Sequence, residues 1–259
     1  MNSYSQRRSD NNDGMDPDMI VVWFSCGVAS AVAAKETLRR YENVRVVNVP
    51  VAEEDSDNTR FRMDVEAWLG VPIETITHSK WPKSSAAEIW EKGRFMSNVY
   101  GAECTRTLKK GARQEWVKVN NPAWHVLGFT ADEKARFNRF KQTECDNVLP
   151  VLIDAGLTKT DCFEVIAKAG IKRPRIYDMG YPNANCIGCV KATSPTYWNL
   201  VRQKHPQVFA ERARLSREIG CRLVRVKNKR IFLDELKPTD KGRKMKSWDC
   251  GVFCEENLS

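Results

Sequence analysis

The sequence predicts an α/β protein: a doubly wound, mostly parallel sheet followed by a C-terminal helical, cysteine-bearing extension. Three observations predict it. Short β-branched runs alternate with helical stretches from Met19 to Lys141, the pattern of a parallel sheet covered by helices on both faces. The first strand runs into a loop of small residues, Ser25–Ser30, and from there into a helix. After Asn147 the alternation stops, and the chain turns basic and rich in Pro, Asn and Gly around Cys186 and Cys189. The expected division is a disordered polar leader at 1–18, an α/β domain at 19–150 and the extension at 151–259.

Each element has its own signal. Met19–Phe24 (MIVVWF) is an apolar run bounded by polar residues, as a buried parallel strand requires. Ala31–Tyr41 reads as a helix ending in the basic pair Arg39-Arg40. Val44–Val51 is the second strand, with Glu53, Glu54, Asp55 and Asp57 crowding its carboxyl end. Asn58–Leu69 fits an amphipathic helix, and Val71–Ile76 a third strand that Pro72 places at an edge or a strand start. Ala86–Met96 and Cys104–Val119 read as helices, the second with Leu108, Ala112, Trp116 and Val119 on one face. Trp124–Phe129 is a fourth strand, followed by polar Thr130–Lys141. In the extension, Thr160–Ala169 is a short helix and Lys172–Cys189 a loop. Ser194–Gly220 is a long basic helical stretch, and Cys221–Leu233 a hairpin turning at Lys227-Asn228-Lys229.

The chain has 259 residues, 42% apolar and 29% charged, which excludes collagen-like and largely disordered classes. No apolar run approaches the roughly 20 residues that span a bilayer, and the N-terminus carries no signal-peptide core. Neither a transmembrane helix nor a membrane partner is expected. The net charge of +9 favours anionic partners such as nucleotides or nucleic acid, although solubility alone also accounts for it. The excess is uneven: from Arg202 to Arg230 there are ten Lys/Arg against two acids, Glu211 and Glu218. The nine cysteines, without a secretory signal, point to a reducing cytoplasmic setting and to metal or redox chemistry rather than disulfides. Cys145, Cys162 and Cys221 sit in ordinary contexts, and His78, His125 and His205 are scattered, so none of them is given a role.

In open α/β sheets, ligands bind outside the carboxyl ends of the strands. Here those ends carry Ser25–Ser30, Glu53–Asp57 and Thr130–Glu133. A small-residue loop entering a helix can present backbone N–H groups and the helix dipole to an anion; a tight strand-to-helix turn without a ligand would look the same. Cys186-x-x-Cys189 puts two thiols on one turn, which suits zinc, an iron–sulfur cluster or a redox dithiol. The absence of a second C-x-x-C argues against a plain zinc ribbon. Arg106, Lys109 and Lys110 flank Cys104 and would stabilise thiolate charge, unless they form a solvated helix face.

Ser25-Cys26-Gly27-Val28-Ala29-Ser30 resembles the pyrophosphate-binding loop (PP-loop) of adenine nucleotide alpha hydrolases, S-G-G-x-D-S, with Cys26 for the first Gly and Ala29 for the Asp. Glu103–Lys110, Gly128–Glu133 and Gly180–Cys189 are similar, in that order, to segments of the phosphoadenylyl-sulfate (PAPS) reductase family, particularly phage-type members. Gly128–Glu133 resembles that family's G-x-R-A-D-E motif with Thr130 in place of Arg. The resemblance implies phosphate on Ser25–Ser30, adenine at the strand end near Val49 and Glu53, and sulfate on basic side chains. The lost carboxylate at position 29 implies weakened ATP cleavage. An early Cys104 and a distant Cys186-x-x-Cys189 are similar to the [4Fe–4S] pattern of adenylyl-sulfate reductases, which have tandem cysteines where this chain has Glu103-Cys104. The fourth ligand would be missing, leaving an open iron, or come from Cys250 or Cys254; zinc is the alternative metal.

Asp249-Cys250-Gly251 resembles the E-C-G motif that carries the nucleophilic cysteine of these reductases. In them the thiolate attacks the sulfate sulfur of the bound nucleotide, and a thioredoxin-like reductant or glutathione then releases sulfite. Lys241, Arg243, Lys244 and Lys246 would lower the pKa of Cys250; alternatively Cys250 and Cys254 serve purely as metal ligands. Three readings stand. The first is a reductase of adenylyl-activated sulfate (PAPS or APS). The second is an ATP-dependent PP-loop sulfurtransferase that thiolates tRNA or DNA with an iron–sulfur cluster. The third is a non-enzymatic, zinc-stabilised nucleic-acid-binding protein.

Overall fold

The computed structural model describes residues 18–98 and 101–242. The leader, apart from Asp18, and the tail bearing Cys250 and Cys254 lie outside the described residues. The α/β part runs β1 (Ile20–Phe24), α1 (Val28–Arg40), β2 (Val44–Asn48), α2 (Asp57–Leu69), β3 (Ile73–Thr75) and α3 (Ala86–Gly93). It continues with the short ribbon β4 (Ser97–Asn98) and β5 (Gly101–Ala102), a π-helix (Thr105–Gly111), α4 (Ala112–Asn120), β6 (Trp124–Val126), α5 (Lys134–Thr143) and β7 (Val148–Leu149). There follow α6 (Val151–Asp154), α7 (Lys159–Lys168), α8 (Arg175–Asp178), α9 (Pro195–Lys204), α10 (Pro206–Ile219) and the hairpin β8 (Val224–Val226) and β9 (Lys229–Ile231).

The main sheet has the order β3-β2-β1-β6-β7, and every neighbouring pair is parallel. This is the expected doubly wound α/β fold, with β3, behind Pro72, at one edge. All five residues of β1 are buried because both of its faces are covered. Ile20, Val22 and Phe24 enter one apolar cluster with α1, α2 and Ile166 of α7, while Val21 and Trp23 enter another with Trp116, Phe129 and Phe137. A third cluster joins α3 and the π-helix to the extension, through Trp90, Leu108, Ile176, Tyr197, Trp198, Leu215 and Leu223. Strand order reverses between β1 and β6, which opens a crevice at their carboxyl ends, where doubly wound sheets bind ligands.

Several elements differ from expectation for identifiable reasons. The helix over Ser194–Gly220 is broken, because Pro206 occupies the first turn of α10 and cannot continue α9. The Cys104–Val119 helix begins as a π-helix, whose wider turn changes the phase of the apolar stripe. Leu108, Ala112 and Trp116 are buried, but Val119 is 83% exposed. The polar stretch after Thr130 contains α5, seated on the sheet by Phe137 and Phe140. The Lys172–Cys189 loop contains the single-turn α8. Among the described residues no helix is long and apolar enough to cross a membrane.

Candidate functional site

The loop between β1 and α1 is built around Ser30. Its hydroxyl accepts from the Ser25 N–H at 3.1 Å and from the Ser25 hydroxyl at 3.2 Å, and donates to the Gly27 carbonyl at 2.9 Å. Cys26 takes the left-handed conformation (φ 56°) that the Gly of the family pattern would adopt without strain. Asn48 at the end of β2 steadies it, donating to the Phe24 carbonyl at 2.8 Å and to Cys26 Sγ at 3.6 Å. Burial, reinforced by the nearby Glu54 carboxylate, pushes the Cys26 thiol far above its usual range, so it is a packing residue and no nucleophile. Val28 is buried at the head of α1. No side chain caps α1, and its first turn holds no acid. Its leading N–H groups and positive dipole end are therefore available to an external anion. Gly128 lets the segment after β6 close against this turn: a Cβ there would lie 2.8 Å from the Ser30 nitrogen.

Two clefts meet at Ser25. One, a narrow cleft with room for about 20 Å³, is lined by Gly27, Ala29 and Ser30 of the loop and by Lys159, Tyr177 and Asn183. Lys159 heads α7; its Nζ donates to the Pro182 carbonyl at 2.7 Å and to Asn183 Oδ1 and lies 5.8 Å from the Tyr177 ring. The other, with room for about 20 Å³, lies on the β6 side and is lined by Trp23, Arg113, Gly128, Phe129 and Arg136. Arg113 lies over Trp23 at 4.8 Å and Arg136 over Phe129 at 5.2 Å, with Arg136 also bound to Glu133 at 2.5 Å. Sequence reasoning missed Lys159, Arg113 and Arg136. A signal existed for Lys159: a cation in the first turn of a helix opposes the dipole. Thr130, which replaces the motif arginine, is occupied in a capping box with Glu133, and the same carboxylate holds Arg136.

Each of the basic residues beside Cys104 lies against a carboxylate. Arg106 pairs with Glu103. Lys110 lies 3.3 Å from Glu144. Lys109 forms a buried pair with Glu54 at 2.7 Å, only 5% and 7% of the two side chains being exposed. Glu53 is likewise engaged, its carboxylate accepting from the Ala86 and Ala87 N–H groups at 2.8 and 3.0 Å as the cap of α3. Val49 is buried in the cluster on the α4 face of the sheet.

The cysteine turn is anchored to this same region. The Ile187 N–H donates to the Glu53 carbonyl at 2.9 Å, tying Cys186–Cys189 to the chain leaving β2. The Cys189 N–H donates to the Tyr197 hydroxyl at 2.8 Å, and that hydroxyl donates to the Cys186 carbonyl at 3.4 Å. Gly188 has φ 70°, and a Cβ there would meet Val208 at 2.9 Å and Arg212 at 3.3 Å. Cys104, Cys186 and Cys189 all pack in or against the third apolar cluster. Among the described residues, however, no three His, Cys, Asp or Glu side chains converge to hold a metal ion. Cys104, Cys186 and Cys189 are the residues that would hold a [4Fe–4S] cluster or zinc, and no step below is routed through a metal.

No family model matches the chain, and no curated protein matches it. Among solved structures it is similar to the U34-tRNA thiolase NcsA of Methanococcus maripaludis, solved with its [4Fe–4S] cluster. That likeness has 10% identity and a TM-score of 0.38, and covers 82% of this chain and 74% of the other.

Proposed function

We propose that the chain is an enzyme that binds an adenine nucleotide by its phosphates in the β1–β6 crevice and uses it in thiol-dependent sulfur chemistry. The observation that carries this reading is the uncapped first turn of α1 with Lys159 beside it in one cleft. N–H groups, a helix dipole and a half-buried cation form a phosphate site. Arg113 extends the positive field on the β6 side. The Cys186–Cys189 turn, fastened to Glu53, supplies thiols at the exit of the strand next to the loop.

Within this reading, ATP-dependent sulfur transfer is favoured over reduction of adenylyl-activated sulfate. The cations that the reductase resemblance assigns to sulfate are engaged or replaced: Arg106, Lys109 and Lys110 are paired with carboxylates, and Thr130 stands in place of the motif arginine. Reduction stays as the second reading through Cys250, whose motif resemblance is independent of that region. Anaerobically purified protein is to be given ATP with bulk tRNA or DNA, and separately PAPS or APS with reduced thioredoxin. Pyrophosphate from the first mixture supports transfer, and sulfite from the second supports reduction. Failure to bind any of the three nucleotides would overturn the whole proposal.

A further inference from the structure

The basic stretch noted in the sequence divides into two parts. On α9 and α10 four of its five cations, all but Lys204, serve the fold. Arg202 donates to the Leu236 carbonyl at 2.6 Å, and Arg212 is buried over Trp90 at 4.6 Å. Arg214 pairs with Glu218, and Arg217 with Asp234. Beyond α10 the pattern stops. Arg222, Arg225, Lys227, Lys229 and Arg230 follow one another around the β8–β9 hairpin with no acid between Cys221 and Ile231. Among the described residues, neither these five nor Arg94 is ion-paired with a carboxylate.

Arg94, Lys191, Arg222 and Arg230 line one open groove of about 470 Å³, with Phe95 among them and no acidic residue in its wall. The arginines are positioned without being neutralised. Arg94 Nη2 donates to the Glu218 carbonyl at 2.5 Å and Arg230 Nη1 to the Leu223 carbonyl at 3.1 Å, while Arg222 lies over Phe232 at 5.1 Å. The hairpin itself is built against its own electrostatics. Arg225 and Arg230 are directly opposed across the two strands, a like-charge pair that destabilises a hairpin. Lys227 and Arg94 both hold left-handed backbone (φ 53° and 47°), which favours Gly or Asn over a long cation.

We infer that this groove and hairpin bind the phosphate backbone of a single-stranded nucleic acid. Arg94, Arg222 and Arg230, spread along an open groove without a carboxylate partner among the described residues, suit a polyanion better than a single small ion. Guanidinium groups favour phosphate oxygens, and Phe95 gives an unpaired base a ring to stack on. The groove begins at Val190 and Lys191, directly after Cys189. It shares no lining residue with the two nucleotide clefts, and its assignment stands without them.

The test uses the full chain, a fluorescein-labelled thymidine 20-mer and anisotropy at rising NaCl, with no nucleotide added. Binding is expected to weaken steeply with salt. The double variant R222S/R230S is expected to bind at least tenfold more weakly at 100 mM NaCl, with a log–log salt slope shallower by about 0.7 for each phosphate no longer neutralised. R225T is expected to weaken binding while its Tm stays level or rises, since it removes the like-charge pair; loss by misfolding would lower Tm instead. A 20-bp duplex is expected to bind less tightly than the single strand. The inference is overturned by absence of salt-dependent binding at 50 mM NaCl, by wild-type affinity in both variants, or by preference for the duplex. Loss of ATP binding in K159M with oligonucleotide binding intact would show that the two sites are separate.

Discussion

Ser30 concentrates three hydrogen bonds on one hydroxyl, and so sets the shape of the loop before any ligand arrives. Its replacement by Ala removes them at a partly buried position, for which about 1–3 kcal/mol of stability is the expected loss by urea unfolding. A loop that no longer presents its N–H groups should also bind ATP about tenfold more weakly by calorimetry. His125 makes a different residue-scale prediction. It accepts from Trp23 Nε1 at 3.1 Å and stacks on that ring; burial, helped by the Arg113 charge, lowers its pKa to about 4. The unfolded chain takes up this proton near pH 6.5 while the folded chain resists until about pH 4, so stability falls as pH is lowered through that window. The contribution is on the order of 2–3 kcal/mol, and unfolding midpoints of wild type and H125Q between pH 7 and 4.5 should differ in slope. Parallel slopes would mean that the His125 proton is not linked to folding.

At the scale of elements, the structure depends on close approaches that only particular residues permit. The segment after β6 reaches α1 because Gly128 has no Cβ. G128A forces backbone apart and should cost about 1–3 kcal/mol in urea unfolding, while also weakening ATP binding through the displaced loop. The Lys109–Glu54 pair ties the π-helix to the chain leaving β2. Removing one partner leaves a buried charge, so K109M should cost about 3–5 kcal/mol, whereas K109M/E54L should recover most of it. A double-mutant cycle without recovery would show that the pair is not desolvated. The sequence made many elements legible: apolar runs marked β1 and β2, amphipathic patterning marked α2, and the period of three and four marked the helix that carries Leu108, Ala112 and Trp116. It did not reveal the π-helix, because a wider turn changes hydrogen-bond register without changing residue type. Nor did it reveal that Arg106, Lys109 and Lys110 are neutralised, since Glu54 and Glu144 reach them only through the fold.

For the whole molecule, the reversal of strand order between β1 and β6 brings the phosphate loop, the Gly128–Glu133 segment and Lys159 to one crevice. The loop was readable because its residues are consecutive. Lys159, Tyr177 and Asn183 were not, because they reach it from α7, α8 and the loop after α8, far along the chain. The cysteine turn was readable as a pair of thiols, but its attachment to Glu53 is a tertiary hydrogen bond that no local pattern encodes. The central claim is that an adenine nucleotide places its phosphates on the first turn of α1 beside Lys159. A crystal structure of the protein with a non-hydrolysable ATP analogue tests it most directly. Phosphate oxygens are expected within hydrogen-bond distance of the Val28–Ser30 N–H groups and of Lys159 Nζ. Phosphates bound elsewhere, with that turn left to water, would contradict it.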